Sequence, residues 1–120
     1  MANPCVLLSP DLMLASQAIG AAQRAGCTLE IVATEAQLML RLASTTDVWV
    51  AVDLTTPGMK IADLVNSLRN LAEPPASVLA FGPHVQSVRL DAARAAGCDQ
   101  VLTRGQFHAQ LESILREWNT

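Results

Sequence analysis

Four short clusters of polar and turn-forming residues interrupt an otherwise apolar chain: Ser9-Pro10-Asp11, Asp53 to Gly58, Gly82-Pro83-His84 and Thr103-Arg104-Gly105. Asp53 ends the apolar run in VAVDLTTPGM, residues 50–59. A carboxylate at such a place either accepts hydrogen bonds from its own loop or is held for an anion or metal role. Arg104 carries a planar fork that binds a carboxylate bidentately, so an Arg104–Asp53 salt bridge would hold a pocket between them closed. His84 has the chemistry to sense pH or to donate to an anion, although a solvent-facing histidine at a helix start has the same signature. His108, beside Phe107, reads as surface. Ser9-Pro10-Asp11 also makes a good helix start, with Ser as N-cap, Pro at N1 and Asp in the first turn. Thr56-Pro57-Gly58-Met59 suits a type II turn, and turn geometry alone accounts for Pro57.

Other chemistries find no support. There is no Gly-rich phosphate loop, no nucleophile–base grouping around Ser9 or Ser77, and no HExxH pattern at His108. Cys5, Cys27 and Cys98 lack metal-binding spacing and read as reduced, semi-buried thiols. A net charge of −3 without a basic stripe disfavours nucleic acid, and two Phe, two Trp and no Tyr offer no stacking platform. No apolar run is long enough to span a bilayer, and the N-terminus does not resemble a signal peptide. A cytoplasmic chain, with no membrane or nucleic-acid partner, is the expectation.

At 120 residues the chain suits one domain, residues 1–120. Five apolar runs, Cys5–Leu8, Leu29–Val32, Val48–Val52, Ser77–Phe81 and Gln100–Leu102, alternate with helix-like segments. The third run is continuously apolar, as a central parallel strand covered on both faces should be. The helical stripes run through Leu12, Ala15, Ile19 and Ala22; through Leu38, Leu40, Leu42 and Ala43; and through Ile61, Leu64, Val65, Leu68 and Leu71. A fourth segment ends on Gly97 at the C′ position, and the last carries Phe107, Leu111, Ile114, Leu115 and Trp118. Five strand–helix alternations predict an α/β fold, a flavodoxin-like three-layer sandwich with parallel strand order 2-1-3-4-5. Such folds collect functional groups at the carboxyl ends of the strands, where the four clusters fall.

VAVDLTTPGM, with Asp ending the third strand and Pro four residues on, resembles the phosphoacceptor region of response-regulator receiver domains. The similarity extends to the opening VLLSPD, to AGCDQVLTR before the last helix, and to the five strand–helix units. It makes Asp53 the candidate phosphoacceptor. Joining a carboxylate to a phosphoryl donor brings two anions together, so a divalent cation must neutralise both. The resemblance implies metal binding by an acidic pair after the first strand, by the acceptor and by the carbonyl two residues on; here these map to Asp11, Asp53 and Thr55.

The supporting residues depart from that pattern. Ser9 and Pro10 stand at the acidic pair, with Asp11 one position late. Gly82 replaces the hydroxyl after strand four, Arg104 the lysine after strand five, and Val101 the aromatic on strand five. A degenerate receiver is therefore expected: not an enzyme, needing no cofactor, with weak Mg²⁺ binding at most. Ser9, Pro10, Pro57, Gly82 and His84 would line its pocket. It would bind signalling proteins, a histidine kinase or an effector, through the helix 4–strand 5–helix 5 face. The alanines of helix 4 would also permit a homodimer. The alternatives are a functional receiver phosphorylated at Asp53 with Mg²⁺, and an unrelated flavodoxin-like ligand binder.

Overall fold

A computed structural model describes residues 4–119. The strands are β1 (Cys5–Leu8), β2 (Leu29–Val32), β3 (Trp49–Asp53), β4 (Ser77–Gly82) and β5 (Gln100–Thr103). They alternate with α1 (Leu12–Ala25), α2 (Glu35–Leu42), α3 (Ile61–Arg69), α4 (Ser87–Ala95) and α5 (Arg104–Trp118). All four strand pairings are parallel, in the order β2-β1-β3-β4-β5. The flavodoxin-like fold expected from the sequence is the fold observed.

The two-residue period of the strands divides the core. Cys5, Leu7, Trp49, Ala51, Leu79 and Phe81 face α1 and α5, with Leu14, Ala18, Phe107 and Leu111 packed on them. Val6, Leu8, Val50, Val52, Val78 and Ala80 face the other way, under Leu38, Leu64, Leu68 and Leu90. Phe81 and Phe107 stack with centroids 3.9 Å apart and planes 6° from parallel, tying β4 to α5.

The apolar stripe of α1 differs from the sequence reading. Leu12 is 85% and Ile19 37% exposed, whereas Leu14, Ala15, Ala18, Ala21, Ala22 and Ala25 are buried. Small alanines let α1 and α5 approach closely, so contact follows side-chain size rather than hydrophobicity alone. In α2, Leu38 and Leu42 are buried one turn apart, while Leu40 between them faces solvent. The α3 stripe is as expected, with Ile61, Leu64, Val65 and Leu68 buried. Gly26 and Gly97 take positive φ, 80° and 91°, and end α1 and α4. At each, the glycine N–H and the next N–H bond back into the last turn, in the Schellman pattern.

Three strands run one residue further than their apolar runs, to Asp53, Gly82 and Thr103. Backbone pairing is indifferent to side chain here: Asp53 stands opposite Phe81 and Gly82 opposite Thr103. Site residues are thus held by the sheet itself. No helix among the described residues is long and apolar enough to cross a membrane.

Candidate functional site

The site lies at the carboxyl ends of β1 and β3. Among the described residues, three polar or charged residues are buried: Ser9, Asp53 and Thr56. All three belong to it. Ser9 is held to the sheet by its amide, which donates to the Val32 carbonyl at 3.0 Å. Its hydroxyl donates to Asp53 Oδ2 at 2.7 Å and accepts from the Asp11 amide at 3.2 Å. The other oxygen of Asp53, Oδ1, accepts from the Thr55 amide at 2.9 Å and the Thr55 hydroxyl at 2.7 Å. Thr56 closes the loop by donating its hydroxyl and its amide to the Asp53 carbonyl, at 2.7 and 3.1 Å. A buried carboxylate is costly unless hydrogen-bonded; here neutral donors from two loops satisfy both oxygens.

Asp11 and Arg104 depart from their expected roles. Asp11, not Ser9, is the N-cap of α1: its Oδ1 accepts from the amides of Met13 and Leu14 at 3.0 and 3.1 Å. Ser9 cannot cap the helix because it still pairs with β2 and its hydroxyl turns inward to Asp53. Pro10 is exposed between them. Asp11 Oδ2 accepts from Arg104, so the arginine pairs with Asp11 and the Arg104–Asp53 bridge does not form. Arg104 is the first residue of α5, after a capping box of Thr103 and Gln106, and this start sets it opposite the start of α1. The Leu14 amide, then Arg104 and the Met13 amide, hold the Asp11 carboxyl below its ordinary value of 3.8.

The loop after Asp53 has the expected turn. Met59 N–H donates to the Thr56 carbonyl at 3.1 Å and Gly58 has φ 74°, as a type II turn requires. Pro10 and Pro57 share a depression of about 210 Å³ with Thr34, Glu35 and Met59. On the other side, a Cβ at Gly82 would lie 3.4 Å from Leu54 Cβ and 3.8 Å from Leu90 Cδ2. A hydroxyl-bearing residue at 82 would compete with Leu54 for that volume. The Leu54 amide donates to the Phe81 carbonyl at 2.9 Å, and its own carbonyl accepts from Arg89 Nη1 at 2.7 Å. His84 lies exposed in the turn before α4, with no side-chain hydrogen bond or ion pair among the described residues, and does not join the site.

The donor set is a poor match for a hard divalent cation. Such an ion needs several free oxygens, yet both oxygens of Asp53 and both of Asp11 already accept hydrogen bonds. No group of three or more Asp, Glu, His or Cys among the described residues could hold a metal. The sequence reading missed the Thr55 and Thr56 hydroxyls and Arg89. Threonines two and three positions after an aspartate are spaced for side-chain and backbone bonding within one turn of loop, so the first two were findable.

The fold is similar to that of response-regulator receiver domains of known structure. The receiver domain of a sensor histidine kinase from Pseudomonas aeruginosa, with a magnesium ion coordinated in its active-site cleft, superposes with a TM-score of 0.82 at 15% identity over 98% of each chain. The chemotaxis response regulator CheY4 of Vibrio cholerae gives 0.81 at 14% identity, over 98% of this chain and 99% of that one. A response-regulator receiver domain from Bermanella marisrubri gives 0.78 at 18% identity over the whole of both. At these identities the likeness is one of fold. No protein-family model and no curated protein matches the sequence.

Proposed function

We propose that this chain is a signalling module of the two-component type that works through protein–protein contact, with regulated acyl-phosphate formation at Asp53 lost. The observation that carries this reading is the set of bonds around Asp53. Ser9 and Thr55 occupy both oxygens, and Asp11 is drawn away to cap α1 and pair with Arg104. An attacking carboxylate needs a free oxygen and a cation beside it, and this arrangement favours neither. The partner surface is the α4–β5–α5 face, where a kinase, an effector or a second copy would bind. A second reading, a receiver phosphorylated at Asp53 with Mg²⁺, draws on one observation: Arg104 turns to Asp11, so its guanidinium does not block Asp53.

Beryllofluoride with Mg²⁺, followed by amide shifts, separates the two. No saturable change, or change confined to the loops around Asp53, is expected. Saturable changes across Val85–Ala96 and Gln100–Thr103 that vanish in Asp53→Asn would establish the second reading instead.

A further inference from the structure

Six of the seven arginines pair with carboxylates: Arg24 and Arg116 with Glu112, Arg41 with Glu30, Arg69 with Asp99, Arg94 with Asp91 and Arg104 with Asp11. Among the described residues Arg89 and Lys60, the single lysine, make no ion pair, and both line the same groove. It lies between α3 and α4 and measures about 360 Å³. Leu54, Met59, Ile61 and Ala92 make its walls apolar. Asp63, in the first turn of α3, is the one carboxylate in the lining.

We propose that this groove binds an acidic segment of a partner protein, with a carboxylate flanked by aliphatic side chains. Two cations against one carboxylate leave a local positive charge on a chain whose net charge is −3. That contrast selects an anionic group and steers it to this place. Arg89 is pre-organised to receive one. Its Nη1 donates to the Leu54 carbonyl, which fixes the guanidinium at the rim while its other donors stay available. The apolar walls take the flanking aliphatic groups.

The occupant is a polypeptide because apolar surface continues beyond the groove. Val88, in the first turn of α4 and one turn before Ala92 of the lining, is 80% exposed, and Val85, just before the helix, is 76% exposed, giving a contact longer than a small acid would fill. Asp63 and the overall negative charge oppose a polyanion such as nucleic acid. Two cations also fall short of the cluster of roughly four to eight that marks an anionic-lipid surface. The groove is the flank of α4 facing α3, distinct from the α4–β5–α5 face. The inference does not depend on whether Asp53 is phosphorylated.

The test is selection of a random dodecapeptide display library on the full chain, followed by titration of synthetic versions of the enriched peptides. Enriched sequences should carry Asp or Glu beside Leu, Ile or Val. Amide shifts on binding should centre on Lys60–Asp63 and Arg89–Ala92. Combining Lys60→Gln with Arg89→Gln should weaken binding about ten-fold or more, whereas Arg24→Gln, on α1, should leave it unchanged. Asp63→Asn keeps the groove and removes its negative charge, so it should tighten binding; this arm does not depend on the double variant folding normally. Peptides without acidic residues, shifts elsewhere, or weaker binding by Asp63→Asn would each overturn the proposal, as would a groove filled by a second copy of the chain.

Discussion

The hydroxyl of Ser9 reaches from the end of β1 to Oδ2 of Asp53 at the end of β3, at 2.7 Å, with both residues almost fully buried. One short polar bond thus joins the tips of two neighbouring strands. Ser9→Ala should cost about 1–3 kcal/mol, because it leaves a buried carboxylate oxygen short of a donor. Urea unfolding reads this directly, and a loss near zero would mean that the Thr55 donors suffice alone.

Metal dependence follows from the same pair. Wild type should show almost no rise in Tm with millimolar Mg²⁺. Ser9→Asp sets a second carboxylate against Asp53, so it should destabilise the metal-free protein and make Tm rise with Mg²⁺. Saturation of wild type at submillimolar Mg²⁺, lost on Asp53→Asn, would show an intact metal site.

Asp11 sets an acid limb. Its carboxyl is held below its ordinary value of 3.8 in the folded state. The stabilisation is therefore complete above that value and is lost as pH falls through the folded-state pKa. Asp11→Asn keeps a good N-cap but removes the titration. Urea midpoints measured down a pH series should fall less steeply in Asp11→Asn than in wild type, and parallel curves would refute the assignment.

At the alkaline end, Cys5 acts in the opposite sense. Burial, then the neighbouring Cys27, pushes its thiol up to about 12 from an ordinary 9.0. A raised folded-state pKa gives stability that is complete below 9.0 and lost as pH climbs toward 12. Iodoacetamide on the native protein should alkylate half-buried Cys98 well before Cys5 or Cys27, read by peptide mass.

Gly82 tests the packing behind Asp53. Gly82→Ala adds a Cβ at ordinary contact distance and should be tolerated. Gly82→Thr should cost about 1–3 kcal/mol through overpacking against Leu54. Combining it with Leu54→Ala should cost less than the sum of the two single changes, by urea unfolding of all three.

The topology was legible because the strands announce themselves: Val48 to Val52 is continuously apolar, and Asp53 marks where that run stops. The α3 stripe and the Pro57-Gly58 turn were equally plain, since both depend on residues close in sequence. The partner of Arg104 was not, because Asp11 lies 93 positions away and only the packing of α1 against α5 brings them together. Ser9-Pro10 misled for a related reason. Its local pattern is that of a helix cap, but a backbone bond to Val32, at the end of β2, ties Ser9 to the sheet just beyond β1. In α1, Leu12 and Ile19 outranked the alanines in hydrophobicity, while close approach of α5 rewarded the alanines.

Leu54 is fastened three ways: by its amide to β4, by its side chain buried beside Gly82 in the core cluster that includes Leu90, and by its carbonyl to Arg89 of α4. Its neighbours Thr55 and Thr56 are tied to Asp53. A segment anchored in this manner has no soft local mode of opening, so solvent deuterium should enter at the Leu54 amide only when the sheet itself comes apart. The loop beside Asp53 then belongs, in mechanical terms, to the rigid body of the domain rather than to a moving gate above it.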